Sequence, residues 1–320
     1  MPSVLERLTA ARRPGWLFTG GSKRCAFQIG VAELLDEIGC RPSALLGVSG
    51  GSWNAAAIAV GQLSRLRAYW RFFSRMPYID LTNLFREDHS PFIFSELHRR
   101  AFDRYVGKDA LAAAPTPVWV AITRLSDRTP RIVDLREHPD PFAVMMASNY
   151  LPFYYTHPVI LDGETFGDGG IANNAPYEFL LEQGCDLVVV IAPGAEEDGG
   201  IFRNLDDWDH QIPDTLAEQV VLVRPRRRLP CSFTESRWDA LELTMNIGYA
   251  RAREMILGED HSALTGIQGA GMSPVLGFLR AQRSASRLLT AAKRGRLDEA
   301  ESGTASVPTG THGSPGTRGG

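Results

Sequence analysis

Cysteine is scarce in this chain: Cys25, Cys40, Cys185 and Cys231 are the only four in 320 residues. None stands at a paired metal-ligand spacing, and the density is far below that of a disulfide-stapled secreted domain. A reduced compartment therefore fits best. Long hydrophobic runs are missing too. Stretches such as residues 187–192 are too short to span a bilayer, and residues 1–13 carry Glu6 and lack the apolar core of a signal peptide. A net charge of −3 supplies no field that would favour a nucleic acid. The seven histidines show no metal-ligand pairing, which argues against a zinc hydrolase. The expectation is a cytoplasmic protein, or one peripheral to a membrane, with no cofactor, no metal and no nucleic-acid partner.

What is present suits a folded α/β protein. The apolar fraction of 44% is enough for a sizeable core. Strand patterns at 16–19, 44–48, 117–124, 131–135, 159–161, 187–192 and 220–224 alternate with helix patterns at 26–38, 51–60, 141–149 and 176–183. That alternation predicts a largely parallel sheet whose ligands sit beyond the strands' carboxyl ends. Residues 236–257 predict an amphipathic helix docked on the core.

Three glycine-rich segments fall where chemistry is expected. Gly47-Val48-Ser49-Gly50-Gly51 sits between a strand and a helix, the setting of a nucleophile elbow; an ordinary glycine loop is the competing reading. The following helix aims amides and the positive end of its dipole at any anion formed there. Phe166-Gly167-Asp168-Gly169-Gly170 leads into Ile171-Ala172-Asn173-Asn174-Ala175-Pro176 and holds an aspartate in a turn. By itself, Asp-Gly-Gly is most often a plain turn. Gly20-Gly21-Ser22-Lys23-Arg24-Cys25 follows a strand and opens a helix, so its backbone N–H groups can form a nest; it matches neither the P-loop nor the dinucleotide fingerprint.

In this order, the three segments resemble the patatin-like phospholipase family over about residues 17–193. "GVSGGSWNAA" is similar to the family's elbow, "GDGGIANNAP" to its aspartate segment, "ASNYLPFYYTHPVILDGETFGDGG" to the approach to that aspartate, and "GGSKRCAFQIGV" to its oxyanion loop. The resemblance implies a three-layer α/β/α sandwich around a mostly parallel sheet. It implies a lipid acyl hydrolase with a Ser-Asp dyad: Ser49 as nucleophile, Asp168 as base, and no catalytic histidine or metal. Amides around Gly20, Gly21 and Ser22, helped by Gly50, would form the oxyanion hole. Gly47, Gly51, Gly169 and Gly170 complete the motifs. The family loop usually reads Gly-x-Gly-x-x-Gly; here Ser22 and Cys25 replace its second and third glycines. Ser22 would carry strain if its φ were positive.

A serine hydroxyl needs a neighbouring base, and an exposed aspartate near pKa ~3.9 is a weak one. Asp168 could serve only if its cleft desolvates it. One alternative is a Ser-His-Asp esterase of the α/β-hydrolase type, whose histidine would come from His210, His261 or His312. Others are a transacylase using the same residues, and a feebly active lipid-binding scaffold. An acyl-ester lipid is the expected substrate.

The catalytic domain is expected over 1–300, with an inserted cap at about 62–115. Ten aromatics crowd residues 69–105, about three times the chain's 9% average, and they read either as acyl-chain walls or as packing for the cap. Residues 193–213 read as a solvated acidic loop and 224–228 as a solvated basic turn. Residues 278–297 read as a basic helix that packs on the surface or lies on a membrane. Residues 301–320 read as a disordered tail.

Overall fold

Short runs of valine, leucine and isoleucine, bounded by glycine and proline, form the strands. The structure, a computed structural model, describes residues 2–75, 94–150, 158–198, 211–232, 235 and 237–266, with only the backbone at 94 and 95. Its strands are β1 (Pro14–Phe18), β2 (Ala44–Val48), β3 (Val118–Arg124), β4 (Pro130–Asp134), β5 (Val159–Leu161), β6 (Glu164–Asp168), β7 (Leu187–Ile191) and β8 (Val220–Val223). Strands β8, β7, β1, β2 and β3 lie side by side and parallel; β4, β5 and β6 are antiparallel additions. Every residue of β1, β2 and β7 is buried, as befits parallel strands covered on both faces.

The register around β3 decides where the site lies. Val120 and Ala121 pair with both β2 and β4, while Ile122 and Thr123 pair with both β4 and β6. A strand has two edges, so β4 takes one and β2 and β6 share the other, end to end. Val48, the last residue of β2, is opposite Ala121, and Asp168, the last of β6, is opposite Ile122.

The helices are α1 (Val4–Ala10), α2 (Ala26–Glu37), α3 (Gly50–Ala59), α4 (Leu66–Arg75), α5 (Phe94–Tyr105), α6 (Lys108–Ala112), α7 (Pro141–Ser148), α8 (Tyr177–Glu182), α9 (Trp238–Leu257) and α10 (Ser262–Thr265). Right-handed crossovers set α2 and α3, which carry the chain from β1 through β2 towards β3, on one face. They set α8, which returns it to β7 on the far side of β1, on the other. Leu17, Leu46, Val48, Val188 and Val190 pack with Tyr177 and Leu180 of α8. The alternate residues Trp16, Phe18, Leu45, Val189 and Ile191 are fully buried on the opposite face. This is the three-layer sandwich expected from the sequence.

Most strand and helix patterns fall within one or two residues of the observed elements. The patterns did not mark α4, α5, α6, α10 or α1, whose Ser3 and Glu6 form a capping box, and β6, whose Glu-Thr-Phe-Gly-Asp lacks an apolar run, was implied only by the resemblance. The 224–228 turn is not simply solvated: Arg224 is buried and donates to the carbonyls of Gly194 and Ala195. Arg227 and Arg228 pair with Glu197 and Asp198. The 278–297 helix, the 301–320 tail and most of the acidic loop lie outside the described residues.

In the expected cap region, the buried rings of Tyr69, Phe73 and Tyr105 interlock, with Tyr69 5.0 Å from Phe73 and 5.2 Å from Tyr105. Trp53 of α3 joins them, its ring 6.3 Å from Tyr69 and 6.2 Å from Phe73. These rings pack α4 and α5 onto α3. Tyr78, Phe85, Phe92 and the ring of Phe94 lie outside the description.

Helices α2 and α9 touch backbone to backbone. A Cβ added at Gly30 would stand 1.9 Å from the Met245 carbonyl oxygen, and one at Gly248 would stand 2.0 Å from that of Phe27. Gly30→Ala should therefore destabilise the protein by roughly 3 kcal/mol or more, read as a lowered urea midpoint. An unchanged midpoint would show that the helices can part at no cost.

Candidate active site

Ser49 stands at the sharp turn from β2 to α3 with φ 51° and ψ −130°, a backbone conformation that costs a non-glycine residue energy. Its surroundings hold it there. The Ser49 N–H donates to Ser148 Oγ at 2.9 Å, and Ser148 Oγ donates to the Ala121 carbonyl at 2.7 Å. The Ser49 carbonyl accepts from Ser52 Oγ at 2.6 Å and from the Ser52 N–H at 3.0 Å. The turn has no space for side chains: a Cβ at Gly47 would lie 2.4 Å from Ser52 Cα, and one at Gly51 2.3 Å from the Phe18 carbonyl oxygen.

Asp168 ends β6, and the Ser49 side chain lies near enough to act on its carboxyl group. Its Oδ1 also accepts the Gly170 N–H at 2.8 Å. Burial raises the carboxyl pKa from an ordinary 3.8 to about 6, against the lowering effect of the nearby Ser49 side chain and the Gly170 N–H. The backbone is pinned as well: Thr123 Oγ1 donates to the Asp168 carbonyl at 2.8 Å, and the Asp168 N–H donates to the Tyr150 carbonyl at 3.2 Å. Gly169 lies so close to β3 that a Cβ there would stand 2.3 Å from the Ala121 carbonyl oxygen.

The glycine loop lies over the serine. A Cβ at Gly20 would be 2.9 Å from Ser49 Cβ, and one at Gly50 would be 2.9 Å from the Ser22 carbonyl oxygen. Gly20 departs from expectation, because its N–H donates to Asn174 Oδ1 at 2.6 Å and so holds the loop rather than facing a substrate. Asn174 Nδ2 closes the clamp on the Gly20 carbonyl at 3.3 Å. Ser22 has φ 52°, so the residue in the family's glycine position does carry strain. Beneath the loop runs a buried amide chain. Gln28 Nε2 donates to the Thr19 and Ile191 carbonyls at 2.7 and 3.0 Å, Asn54 Nδ2 to Gln28 Oε1 at 2.9 Å, and Trp70 Nε1 to Asn54 Oδ1 at 2.9 Å. Cys25 is buried with its thiol pKa pushed far up, which suits an inert packing role.

The first and third glycine segments thus converge on Ser49 and the second supplies its acidic partner. Ser148, Thr123 and Gln28 were not singled out from sequence. Ser148 is the serine that precedes Pro152 in the approach segment of the resemblance, which gave it no role, and buried polar residues in helices and strands look like any others. His261 bonds Glu259 at 3.0 Å, and Arg253 holds the same carboxylate; His210 and His312 lie outside the described residues. No group of three or more His, Cys, Asp or Glu among the described residues is placed to hold a metal ion. None of the described helices is long and apolar enough to cross a membrane.

A family profile described as patatin-like phospholipase matches residues 17–181, just over half of the chain. The chain belongs to the patatin-like phospholipase family. Patatin-like phospholipases are lipid acyl hydrolases, and the glycine loop, the serine turn and the Asp-Gly-Gly segment all lie inside the matched span. Among solved structures the chain is similar to VipD from Legionella pneumophila, at 13% identity and a TM-score of 0.43, covering 77% of this chain and 67% of that one. No curated protein sequence matches.

The raised Asp168 pKa makes stability depend on pH. Between pH 3.8 and about 6 the folded carboxyl keeps a proton that the unfolded one releases, so stability falls as pH rises through that window. Above it the buried charge is a constant cost. Asp168→Asn, which keeps the shape without the charge, should raise the melting temperature relative to wild type at pH 8 but not at pH 4. An equal shift at both pH values would contradict the buried ionisable carboxyl.

Proposed function

We propose that this protein is a serine hydrolase that cleaves acyl esters of phospholipids or lysophospholipids through an acyl-Ser49 intermediate, with Asp168 as its only general base. The observation that carries this reading is a buried carboxyl, that of Asp168, held up to about pKa 6 beside the Ser49 side chain at the strained turn, with no histidine among the described residues bonded to either. A carboxylate near pKa 6 is a far better base than one in water, and it needs no relay to reach the serine.

Ser49 Oγ attacks the ester carbonyl as its proton passes to Asp168. The negative charge on the former carbonyl oxygen is stabilised by amides of Gly21, Ser22 and Gly50, Gly20 being engaged elsewhere. The Gly50 N–H belongs to the first turn of α3, where no carbonyl one turn back is available to it. Collapse expels the alcohol, which takes the proton from Asp168. Water then attacks the acyl-serine as Asp168 accepts its proton, and that proton passes to Ser49 Oγ as the acyl–oxygen bond breaks and the fatty acid leaves. Four buried, unpaired cysteines suit a reducing cytoplasm, and the substrate brings the enzyme to a lipid surface. The strained Ser22 is the one feature that favours slow turnover or a mainly lipid-binding role.

The test is a panel of lipids incubated with wild type and variants, with released fatty acids identified by mass spectrometry. Ser49→Ala and Asp168→Asn should each lower the rate by roughly a thousandfold or more. His210→Ala and His261→Ala should leave it near wild type. Near-full hydrolysis by Asp168→Asn would sink the dyad, and a collapse in either histidine variant would favour a triad. A second check is the pH profile: kcat/KM should fall tenfold per pH unit below about pH 6, as Asp168 takes up its proton. A rate that stays flat down to pH 4 would remove Asp168 from the role of base.

A further inference from the structure

We infer that Ser148 is a positioning residue that holds Ser49 at its distance from Asp168. This inference rests on the hydrolase reading above.

The parallel ladder between β2 and β3 stops at Val48 opposite Ala121, where the chain leaves the sheet. The Ser148 hydroxyl stands in the gap. It accepts the Ser49 N–H at 2.9 Å and donates to the Ala121 carbonyl at 2.7 Å, and the residue is wholly buried. One oxygen atom therefore links the nucleophile's backbone to β3. Ile122, the very next residue of β3, is opposite Asp168, and Thr123 Oγ1 holds the Asp168 carbonyl at 2.8 Å. Both members of the dyad are thus measured from adjacent points on one rigid strand.

The other side of Ser49 is held from the same place. Asn149 Nδ2 donates to Ser52 Oγ at 3.1 Å, and Ser52 Oγ donates to the Ser49 carbonyl at 2.6 Å. The end of α7 therefore grips the peptide groups on both sides of Ser49. Such a grip is what a residue at φ 51° requires, because a strained backbone persists only where its surroundings over-determine it. Removing the Ser148 hydroxyl leaves a buried N–H and a buried carbonyl without their partner and lets Ser49 relax. Its Oγ then moves off the line to Asp168. A displacement of about 1 Å is enough for a hundredfold loss of rate, while substrate binding is untouched.

The experiment compares wild type, Ser148→Ala, Ser148→Cys, Ser148→Thr and a control, Thr265→Val, which removes another buried hydroxyl hydrogen bond, that from Thr265 Oγ1 to Glu254 at 2.9 Å. Each is assayed for labelling of Ser49 by a fluorophosphonate probe, for kcat and KM on a p-nitrophenyl acyl ester, and for amide hydrogen exchange at Ser49. Ser148→Ala should lower the labelling rate and kcat by roughly ten- to a hundredfold with KM unchanged, and should speed exchange at Ser49. Ser148→Thr, which keeps the hydroxyl, should recover much of the rate, and Ser148→Cys should fall between serine and alanine. Thr265→Val should match wild type.

A folded Ser148→Ala protein with wild-type labelling and exchange overturns the inference, as does an equal loss in Thr265→Val. Should the alanine variant not fold, Ser148→Cys carries the same comparison, and wild-type behaviour there overturns the inference. Wild-type protein that neither labels nor turns over ester sinks the hydrolase reading itself. Exchange at Ser49 that is unchanged by loss of the hydroxyl sinks the clamp alone.

Discussion

One edge of β3 serves two strands in succession, and the candidate site exists because of it. β2 runs beside β3 as far as Ala121 and then turns away; β6 arrives from the opposite direction and takes up the pairing at Ile122. Ser49 is where one chain departs and Asp168 is where the other ends. Backbone ladders hold sub-ångström geometry far better than flexible side chains do. Two side chains set at consecutive rungs of one strand therefore need little else to bring them together.

That placement has an electrostatic consequence. Ser49 and Asp168 are both buried, and burial makes the carboxyl resist ionising. The same burial makes its charge costly to the fold, and two residues with positive φ, Ser22 and Ser49, add strain. The surrounding polar side chains offset this by pinning the backbone. Ser148 holds Ser49, Thr123 holds Asp168 and Gly169, and Asn174 holds Gly20. The chain Gln28, Asn54 and Trp70 ties the strand ends beneath the loop to helix α4.

Much of this was legible in the amino-acid order. Apolar runs bounded by glycine and proline marked the parallel strands, and the three glycine segments pointed to Ser49, Asp168 and the loop. Less visible were features that depend on partners distant in the chain. Gly20 looks like a free amide until Asn174 is folded against it. Arg224 looks like part of a solvated basic turn until the carbonyls of Gly194 and Ala195 meet it. The aromatic crowding near residue 70 is plain to see, but the packing of Tyr69 and Phe73 against Trp53 depended on another helix.

The residue order alone determined which elements form and which side chains have the chemistry for acyl transfer, because periodicity, turn preference and functional groups are local properties. Tertiary structure alone decided that β6 follows β2 along one strand edge, that the Asp168 carboxyl is buried and its pKa raised, and that Ser148 and Asn174 grip the backbone of the site. Pairing register, desolvation and hydrogen-bond partners arise only when remote segments pack together, so no local stretch of the chain contains them.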